Sequence, residues 1–256
     1  MMDLQQQIQT MSHSIRNVLE DMPVSIYLYG SITMDDFQYG WSDIDLLCLT
    51  DCSISQEQAH RLVGLRQRLV EQYRDPVYQL FEGGILSLQS FLNGIPDTVV
   101  YWGTGDQYIT DTYNLDSLGR YELKTNGVLI AGRDIRNMII MPSNTDIRKA
   151  VQFHFKTIRK HAVQTDESLY SCGWLLDIAR CIYTLRRGGM IAKTKAGEWA
   201  LKQQLCPVPE TLKKALLVRK DPLKYKDDLE FKVWARSLGN DVQRFADVLE
   251  QEFGKT

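Results

Sequence analysis

The residues that most restrict this chain form one string near its start. Val24 to Tyr29 (VSIYLY) leads into Gly30-Ser31, and eleven positions on from Ser31 comes Ser42-Asp43-Ile44-Asp45-Leu46-Leu47. A β-branched and aromatic run ended by glycine reads as a strand and its turn. Asp43 and Asp45 stand two apart on a second strand, so their carboxylates project from one face. Two acids side by side on a half-buried strand repel each other, and leaving them unpaired costs several kcal/mol as an order of magnitude. A strand that presents both is a strand that holds a cation. Hard oxygen donors suit Mg²⁺, which binds through one or two carboxylates and leaves positions for substrate phosphates. Glycine lets backbone N–H groups approach a phosphate, and the Ser31 hydroxyl adds a donor. A phosphate seat beside a metal held by carboxylates is the minimum equipment for attack at a nucleotide phosphate. An isolated D-x-D is usually a pair of solvated turn acids; the complete string is far more specific.

Charge and composition narrow the partners. The 256 residues carry 30 Lys+Arg against 32 Asp+Glu, a net charge of −2, and 44% are apolar. That balance argues against a protein whose main task is gripping a nucleic-acid backbone, which needs clustered Lys and Arg. No run approaches the roughly 18 apolar residues of a membrane span. The N-terminal residues lack the apolar core of a signal peptide and read as an amphipathic helix. Cys48, Cys52, Cys172, Cys181 and Cys206 are odd in number and share no metal spacing. The expectation is a reduced, cytoplasmic protein without disulfides or structural zinc, with Cys48 a small buried thiol in its strand.

The texture divides near Pro142. Before it, helical patterns at 4–20 and 55–73 alternate with strands at Val24–Tyr29 and around Asp45–Leu49, and Val77–Phe81 and Ile85–Leu88 read as further strands. Gly83 and Gly84 between the last two permit a bulge or a close approach. The reading is an α+β fold: an N-terminal domain, 1–142, with a mixed sheet and flanking helices. After it, Ser143, Asn144 and Thr145 offer helix caps and Asp146 suits a first turn. Helical patterns follow at 145–163, 167–187, 195–205, 209–219 and 226–253, making 143–256 an all-α helical bundle domain. Lys213 to Asp228 mixes both signs and reads as a solvated face.

The string around Gly30 and Asp43 resembles the signature of the DNA polymerase β-like nucleotidyltransferase superfamily. The resemblance implies two Mg²⁺ ions, a nucleoside triphosphate donor and a third carboxylate on a later strand, best matched by Glu82 in QLFEGGILSL. The segment Cys181 to Leu201 (CIYTLRRGGMIAKTKAGEWAL) is similar to the helical domain of streptomycin/spectinomycin-type aminoglycoside adenylyltransferases. Those enzymes have an arginine-bearing helix, a glycine break, then a serine-lysine pair before A-x-x-W-A. Here Ala192 replaces the serine, while Lys193, Ala196, Trp199 and Ala200 keep their positions. The strand-like Asn126 to Gly132 also resembles the family's strand before its linker.

By that resemblance Asp43, Asp45 and Glu82 would be catalytic and hold the metals, with Glu82 the base. Gly30, Ser31, Ser42, Arg180 and Lys193 would bind ATP, the lysine reaching its phosphates from the helical domain. The family's drug-facing tryptophan falls near Ile158 here, which leaves Trp102, Asp166 and Glu167 to face the acceptor. The implied activity is Mg²⁺-dependent transfer of AMP from ATP to a hydroxyl of a small cationic aminocyclitol antibiotic such as spectinomycin or streptomycin, by a monomer that binds neither nucleic acid nor membrane. Two alternatives stay open: a nucleotidyltransferase with a protein or tRNA acceptor, and a silent nucleotide-binding regulatory module.

Overall fold

The computed structural model describes residues 3–20, 22–95 and 97–255. They fall into two compact units. One runs from the first helix to Thr33 and resumes over Asp43–Met141; the other holds Met34–Ser42 together with the chain from Pro142 onward.

The first unit opens with α1 (Leu4–Leu19), started by a capping box in which Asp3 and Gln6 exchange side chain-to-backbone bonds. Then follow β1 (Val24–Leu28), a 3₁₀ turn (Gly30–Thr33), β2 (Ile44–Thr50), α2 (Gln56–Val63), α3 (Leu65–Tyr73) and β3 (Phe81–Ser87). The unit closes with α4 (Leu88–Asn93), β4 (Val99–Trp102), β5 (Gln107–Thr110), α5 (Ser117–Asn126) and β6 (Val128–Ala131). Among the described residues the strands make one mixed sheet in the order β5-β4-β3-β2-β1-β6. Only the β2–β3 pairing in it is parallel. Tyr27, Leu47, Leu49 and Leu86 from the sheet bury against Leu88 and Phe91 of α4 and Leu123 of α5. Cys48 is fully buried in β2, as its apolar setting implied.

Three local readings change. The 55–73 helix breaks at Gly64, which closes α2 with its N–H on the His60 carbonyl and opens α3. Of Val77–Phe81, expected in a strand, all but Phe81 lie in a 3₁₀ turn, Pro76–Leu80. Pro76 fixes φ at the first turn position, and the Asp75 side chain accepts the Val77 N–H at 3.1 Å. The strand therefore starts at Phe81 and passes straight through Gly83 and Gly84 with the close approach foreseen for them. At φ +135°, a Cβ on Gly83 would stand 1.8 Å from the Leu46 carbonyl oxygen of β2. A Cβ on Gly84 would stand 2.3 Å from the Tyr113 ring.

The second unit contains α6 (Asn144–His161), α7 (Tyr170–Arg187), α8 (Lys193–Lys202), α9 (Pro209–Lys220), α10 (Pro222–Tyr225), α11 (Leu229–Arg236) and α12 (Gly239–Phe253). Ser143 and Asp146 form the capping box of α6. Helix α7 is central: α6, α8, α9, α11 and α12 all pack on it. Its residues Leu175, Leu176, Ile178, Ala179 and Ile182 are fully buried. The A-x-x-W-A motif is a packing device, because a Cβ on Gly197 would lie 2.9 Å from both Leu176 and Leu216. Small residues at 196, 197 and 200 let α8 sit close to α7 and α9. The helix expected over 226–253 is divided between α11 and α12, where Gly239 approaches the Val163 carbonyl so closely that a Cβ would be 2.1 Å from it. No helix among the described residues is long and apolar enough to cross a membrane.

The two kinds of glycine separate in a stability measurement. Gly83→Ala forces a strained φ and a backbone clash, and is expected to cost about 3 kcal/mol or more. Gly94→Ala, at φ +70° with nothing within 4 Å, is expected to cost only about 1 kcal/mol. Urea unfolding of both variants checks this, and equal losses would show that the β2–β3 approach is not tight.

Candidate active site

Strands β1 and β2 run antiparallel, so the chain leaving Leu28 emerges beside Asp45. The Tyr29 N–H donates to the Asp45 carbonyl at 3.1 Å, and Gly30 follows at φ +70°. A Cβ on Gly30 would lie 1.9 Å from Asp45 Oδ2, so only glycine lets that carboxylate rest against the turn. Ser31 is partly exposed within the turn, which Thr33 closes by donating its hydroxyl to the Gly30 carbonyl at 3.0 Å.

Across β2, the parallel register sets Asp45 directly beside Glu82 of β3. Asp43, expected on the same strand, lies two residues earlier, immediately before β2 begins at Ile44. All three residues are half-buried. Burial pushes the Glu82 carboxyl above its ordinary value of 4.5, while a Thr104 hydrogen bond and the Arg66 charge work in the opposite direction. Glu82 Oε1 is buried with no hydrogen-bond partner. Arg66 itself is almost wholly buried, donating to the carbonyls of Phe81 at 2.6 Å, Gly103 at 2.9 Å and Gln79 at 3.2 Å. Its field reaches both Glu82 and Asp43. Three phenols complete the surroundings: burial raises the pKa of Tyr29, Tyr101 and Tyr113, and the Asp45 charge adds to the rise in each. They stay neutral hydroxyls.

Among the described residues, no three Asp, Glu, His or Cys side chains are arranged to hold one metal ion. Glu82, expected with Asp43 and Asp45 in a metal set, stands beside Asp45 in the β2–β3 register. Mg²⁺ needs only one or two protein carboxylates and takes its remaining oxygens from water and phosphates. The donor chemistry of Asp43 and Asp45 fits such an ion.

In the helical unit, Lys193 is the first residue of α8 and Arg180 lies on α7. One carboxylate brings them together. Asp177 receives Lys193 Nζ at 3.0 Å and Arg180 at 3.4 Å, with all three side chains about a quarter exposed. Burial works to raise the Asp177 pKa, but the two cations outweigh it and the carboxyl titrates below its ordinary 3.8. Sequence reading passed over Asp177, although D-x-x-R on a helix places the acid and the arginine on one face.

Residues 13–97 match the family described as Nucleotidyltransferase domain, and residues 139–249 match that described as Aminoglycoside adenylyltransferase, C-terminal domain. The chain is a nucleotidyltransferase whose second half matches the C-terminal domain of aminoglycoside adenylyltransferases. Its fold is that of the spectinomycin adenyltransferase AAD(9) from Enterococcus faecialis, solved with ATP and spectinomycin. The two are 14% identical over 97% of this chain and 100% of that one, with a TM-score of 0.67. No curated relative matches the chain in sequence.

The other residues expected to bind nucleotide or acceptor have these partners in the fold. Ser42, read as a nucleotide contact, is buried, and its hydroxyl accepts the Gln38 N–H at 3.0 Å, closing a loop. Trp102 is fully buried and donates its indole N–H to the Leu62 carbonyl at 3.1 Å, so it is a core residue and not an acceptor contact. Ile158 is likewise core. Asp166 accepts from Ser168 and Ser171 ahead of α7, and Glu167 pairs with Arg236 at 2.9 Å on the surface. The stretch Lys213 to Asp228 is not uniformly solvated either, since Arg219 within it is buried.

The Asp177 cluster has a pH signature. A carboxylate held below its unfolded pKa contributes stability above that unfolded value, and the contribution is lost as pH falls through the lowered one. Asp177→Asn is expected to melt below the parent at neutral pH, with the gap shrinking on acidification through and below 3.8. A gap in thermal midpoint that stays constant across the titration would refute this.

Proposed function

We propose that this enzyme transfers AMP from ATP to a hydroxyl of a small cationic aminocyclitol of the spectinomycin/streptomycin class, with Mg²⁺ ions held by Asp43 and Asp45. The observation that carries the reading is the pairing of Asp45 with Glu82 across parallel strands, beside a glycine turn that admits no side chain. When bound, the metal neutralises the triphosphate and orients the leaving pyrophosphate.

The chain's own groups do the rest. The Gly30 backbone and Ser31 hydroxyl seat phosphate oxygens. Glu82 accepts the proton of the acceptor hydroxyl as its oxygen attacks the α-phosphorus and pyrophosphate leaves on the opposite side. A base whose proton affinity is raised by burial takes that proton more readily than an exposed carboxylate. Lys193 and Arg180 bring positive charge to the triphosphate, exchanging Asp177 for phosphate oxygens. The acceptor class is supported by the match of residues 139–249 and by the fold shared with an enzyme crystallised with ATP and spectinomycin.

Asp43→Asn and Asp45→Asn are each expected to abolish Mg²⁺-dependent pyrophosphate release while leaving the melting curve intact; turnover at the parental rate in either ends the two-carboxylate reading. Glu82→Gln is expected to bind ATP normally and lose transfer by about 10²-fold or more. The acid limb of the kcat/KM profile is expected above pH 4.5, because Glu82 must be deprotonated and burial raises its pKa. A screen of aminoglycosides for products heavier by one AMP, read by mass, tests the acceptor.

A further inference from the structure

Helix α8 begins without a cap of its own. The residue before Lys193 is Ala192, which offers no side-chain acceptor to the first-turn N–H groups. The acceptor comes instead from Asp36, 158 residues before Thr194, whose Oδ2 takes the Thr194 N–H at 3.3 Å. Asp36 is buried, and so is the partner that balances it: Arg219 of α9 donates to Asp36 Oδ2 at 3.2 Å and to the Asp36 carbonyl at 2.8 Å. The Arg219 guanidinium also lies 5.3 Å from the centre of the Trp41 ring, and that ring packs against Gly173 of α7. Asp36 and Trp41 therefore fix both ends of the segment Met34–Ser42 within the helical unit. That segment is the spacer between the glycine-serine turn and Asp43.

We propose that Asp36 is a positioning residue for nucleotide binding: its carboxylate caps α8 in place of the missing Ala192 side chain, and so sets where the helix starts and where its first residue, Lys193, is held. The inference rests on the role given to Lys193 under the proposed function. A buried carboxylate shared between a helix start and a buried guanidinium has no freedom to relax, so the first turn of α8 inherits that rigidity.

The test is a cycle with Mg²⁺·ATP and adenosine as calorimetric probes and thermal midpoint as a control. Asp36→Leu with Arg219→Met removes the cap and the ion pair together, leaving no buried charge unpaired. This double variant is expected to weaken Mg²⁺·ATP roughly tenfold, as Lys193→Ala does, with adenosine binding unchanged. Adding Ala192→Ser to it supplies an in-helix cap and is expected to restore most of the affinity. Ala192→Ser alone, in a chain whose cap is already filled, is expected to change neither the affinity nor the midpoint. Parental ATP affinity in the double variant, alongside a clear loss in Lys193→Ala, overturns the proposal and leaves the lysine's role standing. Equal loss of ATP and adenosine without rescue by the serine overturns it too. Should the double variant not fold, the single Ala192→Ser decides: a raised midpoint or tighter ATP means that α8 was uncapped and the proposal is wrong. A Lys193→Ala enzyme with unaltered ATP binding removes the lysine role itself, and the proposal with it.

Discussion

The parallel contact between β2 and β3 is the constraint on which the rest of the first unit depends. Strands in a sheet lie close to about 4.8 Å apart, so a register that opposes Asp45 to Glu82 forces two carboxylates into each other's field. Neither would stay there on its own account. The apolar residues further along the same strands, Leu47, Leu49, Ile85 and Leu86, are buried and hold the register against that repulsion. Sliding β3 by one residue would turn Glu82 to the opposite face and expose that row. The hydrophobic pattern of the strands thus fixes the electrostatics of their ends.

Charge is then balanced locally within each unit. Arg66, bonded to three backbone carbonyls, supplies a positive field that reaches Glu82 and Asp43. In the helical unit the signs reverse, with a single carboxylate, Asp177, holding two cations in order. On the function proposed, a triphosphate would offer each cation more oxygens than Asp177 can, in a charge-assisted form. Both arrangements keep a functional group ordered while leaving it able to change partners.

Much of the site was readable from residue order because its logic is local. Gly30-Ser31 at a strand end and Asp43-x-Asp45 on the next strand are short-range patterns, and the strand period alone says that the two acids share a face. Glu82 needed its strand context, and the β3 register beside β2 then put it next to Asp45. The errors share one cause. Trp102 has a side chain suited to ligands, but whether such a side chain faces solvent or core depends on partners outside its own strand, here Leu62. Val77–Phe81 read as a strand because its apolar residues suit one, and Pro76 and the Asp75 cap decided otherwise up to Leu80. Asp36 and Arg219 were invisible for the same reason: 183 positions separate them, and no spacing rule links an acid in a spacer to an arginine in a mixed-charge run.

The course of the chain through Met34–Ser42 bears on how such an enzyme can be taken apart. A cut at Met141 looks like a natural seam, yet a fragment ending there keeps Asp36 and Trp41 while the arginine and the helices that shelter them depart with the other piece. Neither half is a self-sufficient module. Grafting this catalytic sheet onto a foreign helical domain would succeed only if the recipient carried a matching socket for that short excursion, so exchange between relatives must bring loop and socket together.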